Sequence, residues 1–197
     1  MPPKPKFTCR EIVNAAVELI NEKGPEALTA RELGQRLGSS VRPIFTVFQN
    51  MEEVKQQARR EAQRQFESYV EQEVPGMPAF KQVGVQTVHF AMEKPRLFQL
   101  LYMRQPGDTP DFALYFHLND TAALCMKTLQ EDYQLTASQA ELLFQQMWID
   151  TFGMAALCAM RVCRFSEEEI SRRLTFTFRA LLIQVKKGEK ESAATAG

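Results

Sequence analysis

Histidine, cysteine and net charge are all scarce in this chain of 197 residues, and each scarcity removes a class of function. Two histidines, His89 and His117, and four cysteines, Cys9, Cys125, Cys158 and Cys163, show no CxxC or other metal-ligand spacing, so no metal is expected. Cys158 and Cys163 stand five apart on one expected helix, which puts them on different faces and makes them packing residues. Gly-rich phosphate loops, nucleophile elbows and His-paired nucleophile motifs are missing too, so the chain is not expected to be an enzyme or to carry a cofactor. No apolar run nears the ~18 residues of a membrane span, and no apolar signal segment opens the chain, so the expectation is a cytoplasmic protein with no membrane partner. The 24 cations balance 24 carboxylates. Residues 1–50 nevertheless hold seven cations against five carboxylates, the sign that a nucleic-acid-binding segment requires.

What is present is helical periodicity nearly throughout, with 45% apolar residues, and the fold class expected is all-α. Ile12, Ala15, Ala16, Leu19 and Ile20 form one stripe of a first helix over Cys9–Glu22, opened by Thr8 or Cys9 and stopped by Gly24. Thr29 stands three residues before Glu32, a capping-box spacing, and opens a short second helix bearing Leu33 and Leu37 and ended by Gly38. Ser40 is expected to cap a third helix, with Pro43 tolerated in its first turn and Ile44, Phe45 and Phe48 on its apolar face. Asn50 caps a fourth, running toward Glu71 before VPGMP at 74–78 interrupts. Further helices are expected over Ala79–Glu93, Pro95–Met103, Asp111–Glu131, Ala137–Val162 and Glu167–Lys187, with N-caps at Thr136 and Ser166 and a loop at 104–110. The domain reading is a helix-turn-helix DNA-binding domain at 7–54, a helical effector-binding and dimerisation domain at 55–188, and flexible tails at 1–6 and 189–197.

Two short helices joined by a Gly-containing turn on a preceding amphipathic helix can present one exposed face to a DNA major groove. At this point the sequence resembles the TetR/AcrR family of bacterial transcriptional regulators, over about 45 residues in register. The match begins with IVNAAVELINEKGPEALTARELGQRLGSS and runs through VRPIFTVFQNMEEV to Val54. The resemblance implies a DNA-binding N-terminal module, a homodimer reading a palindromic operator, and a C-terminal domain that dimerises and often holds a small hydrophobic effector; repression is the expected outcome. By position it assigns DNA contacts to Thr29, Arg31, Ser40, Val41, Arg42, Pro43, Phe45 and Thr46. Phe45 stands where the family commonly has Tyr, and Met51 where Lys is frequent, so two phosphate contacts are absent. Arg42 can read guanine in bidentate fashion, grip a phosphate or remain a solvated charge, while Val41 and Pro43 can pack on thymine methyls or act as spacers.

Farther along, WIDTFGMAALCAM is partly similar to a Trp-x-x-x-His-Gly signature of a subgroup, with Phe152 in the histidine's place. Phe152, Ala156, Leu174, Phe178, Leu181 and Leu182 form stripes on the last two helices that suit an isologous four-helix interface or an internal core. The aromatic and Met-rich middle supplies ligand candidates, Phe90, Phe98, Tyr102, Phe112, Phe116, Met147 and Trp148, each of which can equally be core. His89, His117 and Asp150 are polar groups that can orient a ligand there. The alternative function is a small-molecule-binding helical dimer with no operator-binding activity.

Overall fold

Capping residues mark the helix starts more sharply than the apolar periodicity does. The computed structural model describes residues 5–103 and 120–195, and in the second stretch the side chains of residues 121–187. The described residues form eight α-helices: α1 (Cys9–Lys23), α2 (Ala30–Arg36), α3 (Met51–Val70), α4 (Ala79–Glu93), α5 (Pro95–Tyr102), α6 (Asp120–Tyr133), α7 (Ala137–Ala159) and α8 (Glu167–Thr195). No strand occurs among the described residues, and none of their helices is long and apolar enough to cross a membrane. The expected 104–110 loop, the start of the helix at Asp111, and Phe112, Phe116 and His117 lie outside the described residues.

Thr8, Thr136 and Ser166 each close a full capping box, with Glu11, Gln139 and Glu169 as the reciprocal partners. Asn50 Oδ1 accepts from the Glu53 amide at 2.9 Å, as a cap should. Thr29 completes only half of its box. Its Oγ1 accepts from the Glu32 amide at 3.2 Å, but the Glu32 carboxylate turns to Lys23 Nζ at 2.6 Å instead of back to the cap.

The third helix expected from Ser40 is not an α-helix. Residues 41–47 form consecutive turns around a short 3-10 segment, Ile44–Thr46. Proline explains much of this, since Pro43 has no amide to donate and disfavours helical backbone at Arg42 before it. The Thr46 hydroxyl then donates to the Pro43 carbonyl at 2.7 Å, occupying the acceptor that the Val47 amide would need in an α-helix. Val47 bonds to Ile44 instead, at 3.1 Å. Ile44 and Phe48 are buried as expected, but Phe45 points outward and leaves the supposed apolar face.

Two further boundaries move. Helix α7 stops at Ala159, short of Val162, because Arg161 adopts φ 59° and the Arg161 and Val162 amides fold back onto the Cys158 and Leu157 carbonyls. Cys163 therefore stands off the helix, so the helical spacing expected to part it from Cys158 does not apply. Helix α8 continues to Thr195, beyond the expected end at Lys187 and into the stretch expected to be a tail.

The chain divides into two compact units, residues 1–67 with 93–104, and residues 68–92 with 105–197. In the first, α1 packs on α2 and α5 around fully buried Ile12, Ala16, Leu33 and Ile44. Arg59 of α3 donates to the Leu101 carbonyl at 2.9 Å, and Phe66 meets Tyr102 edge to face with centroids 5.2 Å apart. In the second, α7 packs on α6 and α8 around Leu129, Leu143, Ala155 and Ile170. The break at 74–78 is held by buried Gln82, which accepts from the Val74 amide and donates to the Val70 carbonyl. Both ends of that amide are thus satisfied, which its burial demands.

Candidate functional site

Gly34 sets the geometry of the N-terminal turn. A β-carbon there would lie 3.1 Å from the Ser39 carbonyl oxygen, tighter than backbone can accept without shifting, so the chain can fold close over α2 only because that position is bare. Gly38, at φ 60°, makes the reversal, and the Ser39 amide closes it onto the Gly34 carbonyl at 2.9 Å. From that turn Ser40, Val41, Arg42, Phe45 and Thr46 are exposed, while Ile44 is fully buried and Phe48 nearly so. Pro43 is half-buried. Thr29 and Arg31, at the start of α2, are exposed as well.

Charge is distributed unevenly over this unit. Arg36 is fully engaged, reaching Glu22 through two bonds at 2.7 and 2.8 Å and Glu18 at 3.0 Å, which ties α2 to α1. The hydrogen bond from Arg36 holds the Glu22 carboxyl below its usual range, and Lys23 does the same for Glu32. Arg42 makes no ion pair or hydrogen bond with any described residue. One cation was overlooked in the sequence. Lys6, assigned to a tail, donates to Ser39 Oγ at 3.1 Å and so brings its charge to the turn. Nothing in the spacing of MPPKPK signals that contact.

The second unit contains a cavity of about 420 Å³ between α4, α6, α7 and α8. Of the ligand candidates, Met147 and Trp148 line it. Phe90 is fully buried beside Tyr69, Phe98 and Tyr102 pack against each other at a tilt in the first unit, and none of these three lies on the cavity wall. Phe80, Phe144, Tyr133 and Phe178 supply the other rings. His89 does not line it, nor does Asp150, whose buried Oδ2 has no hydrogen-bond partner among the described residues. Those residues contain no cluster of His, Cys, Asp or Glu able to hold a metal.

The residues expected at a dimer interface separate into two groups. Leu174 is buried and, with Phe178 and Leu182, faces the cavity; Ala156 is buried, and Phe152 and Leu181 are half-buried. The apolar side chains left outside are different ones: Leu142, Ile149 and Leu157 on α7, Met160 just past its end, and Phe176 and Ile183 on α8. Their seven-residue steps, 142 to 149 and 176 to 183, were readable as a second stripe but were masked by the richer inward one.

Residues 12–58 match the family model for bacterial regulatory proteins of the tetR family. No curated protein sequence gives a match. Among solved structures, a transcriptional regulator from Rhodococcus sp. Rha1 superposes with a TM-score of 0.61 at 16% identity, covering 90% of this chain and 97% of that one. A TetR-family protein from Vibrio parahaemolyticus gives 0.59 at 16% identity, over 87% and 97% of the two chains. A TetR-family regulator from Mesorhizobium loti gives 0.60 at 18% identity, over 89% and 95%. At these identities the structures establish a shared fold, and the sequence similarity to the tetR family is confined to residues 12–58.

Proposed function

We propose that the chain is a cytoplasmic repressor that binds a palindromic operator as a homodimer and is released by a small-molecule effector held in its second unit. The observation that carries the DNA-binding part is Arg42, a cation without a partner among the described residues, exposed on a turn whose other side is anchored by buried Ile44 and Phe48. A guanidinium so placed can make the bidentate contact to guanine that distinguishes one base pair from the others. Thr29, Arg31, Ser40, Val41, Pro43, Phe45 and Thr46 share the work of docking, with Val41 and Phe45 offering apolar contact; Lys6 adds a phosphate contact. Support for an effector comes from the cavity, whose volume lies within the range of small-molecule sites.

Selecting bound duplexes from a random pool tests this directly. A palindromic consensus is expected, and Arg42→Ala should lower discrimination between consensus and scrambled duplex by about 1–3 kcal/mol at fixed salt. Retention of full discrimination would remove Arg42 from base reading. A helical dimer that binds small molecules and no operator is the reading favoured if the selection returns no consensus while the cavity takes a ligand.

A further inference from the structure

The cavity's wall is chemically lopsided. Its deepest parts are apolar or neutral, with Val83, Phe144, Met147 and Leu174 each less than a tenth exposed. Gly84 keeps one side open, since a β-carbon there would press on Leu174 at 3.2 Å. Formal charge occurs on the described lining only as Lys81 and Arg179, without a single Asp or Glu. Lys81 is half-buried and Arg179 exposed, which places both where the cavity meets solvent. Lys81 Nζ donates to Ser171 Oγ at 2.7 Å, a neutral partner that orients the ammonium without cancelling its charge. Glu168 of α8 does not line the cavity but opens onto an adjoining, more open groove that shares Thr175 and Arg179 with it and also holds Arg172. Burial pushes the Cys125 thiol up to about 12 and raises the Tyr133 hydroxyl, so neither wall group adds negative charge near neutral pH.

Size narrows the occupant. At about 420 Å³ the cavity lies toward the small end of the roughly 300–1,000 Å³ range of ligand sites, which suits a small ring-bearing molecule. We infer that the cavity takes an organic monoanion with an apolar, ring-bearing body, its acid group gripped at the mouth by Lys81 and Arg179. The inference rests on the reading of this unit as an effector site and adds the chemistry of the effector. An apolar body gains from leaving water among the rings of the floor, and the anion gains charge-assisted hydrogen bonds from both cations. A cation of the same shape would meet two like charges, with no carboxylate on the described lining to offset them.

Trp148 is the chain's single tryptophan and lines the cavity, so its fluorescence reports occupancy in the full-length protein. Three probes close to the required size and differing at one end are titrated: phenylvalerate, phenylpentanol and phenylpentylammonium. The expected order is carboxylate tightest, by about tenfold or more over the alcohol, with the ammonium weakest. Lys81→Met combined with Arg179→Met should erase the preference of acid over alcohol. If the alcohol binds as tightly as the acid, the anion assignment is overturned while the effector site stands. If none of the three perturbs Trp148 or releases heat in calorimetry, the effector site falls and the anion assignment falls with it. A preference that survives the double substitution overturns the roles of Lys81 and Arg179.

Discussion

Arg36 shows how a surface cation can be committed to holding a fold together. Its guanidinium bridges Glu18 and Glu22 across two helices, and the bond it donates lowers the Glu22 carboxyl below the ordinary value of 4.5. A carboxylate whose folded-state value is depressed stabilises the native state fully above its unfolded value, and that contribution disappears as pH falls through the folded value. The first unit should therefore lose stability as pH drops below about 4.5. In Arg36→Met this loss should be shallower, because Glu22 then protonates alike in both states. Urea midpoints followed from about pH 6 to about pH 3 measure the difference; equal slopes in the two proteins would show that the pair contributes nothing. The effect is modest, since Glu22 is in water and the pair is screened.

At the scale of elements, caps carried the sequence reading and backbone competition limited it. The capping box of Thr136 and Gln139 starts α7, whose Leu143, Phe144 and Met147 build both the second unit's core and the cavity wall. Thr136→Ala should cost about 1 kcal/mol, read as a lower urea midpoint with unchanged slope; an unaltered midpoint would mean that the helix is held by packing alone. Boundaries of this kind were legible because a cap is local chemistry: Thr8, Asn50, Thr136 and Ser166 each act on an amide three residues away. The turn at 41–47 was not legible as such. The bond from Thr46 to the Pro43 carbonyl competes with helix on nearly equal terms, and only coordinates show which conformation wins. Exposure of Phe45 follows from the same switch, since its orientation depends on the turn and not on a helical wheel. The position of Arg42 was readable nonetheless, because Ile44 and Phe48 had to point inward in either conformation. Lys6 was missed for the opposite reason: its contact with Ser39 joins residues 33 apart, and nothing near it in sequence announces the partner.

For the whole molecule, the unexplained surface is the apolar one on α7 and α8. Phe176 is 76% exposed, Ile183 54% and Ile149 48%, and leaving such side chains in water along two adjacent helices invites association. A second copy is the partner that fits the proposed homodimer, because two-fold symmetry presents the same stripe from both sides and one substitution then acts twice. Phe176→Lys combined with Ile183→Lys places four ammonium groups in that seam per dimer. The expected result is a monomer in sedimentation velocity at concentrations where the parent is dimeric, with native helical content by circular dichroism. Operator affinity should fall steeply in the same variant, since each monomer reads a single half-site and loses the gain from simultaneous engagement of two. Dimers persisting through both substitutions would move the interface off this stripe. A monomer that still binds the full operator with parental affinity would instead detach DNA reading from dimerisation, and the palindrome would no longer be required.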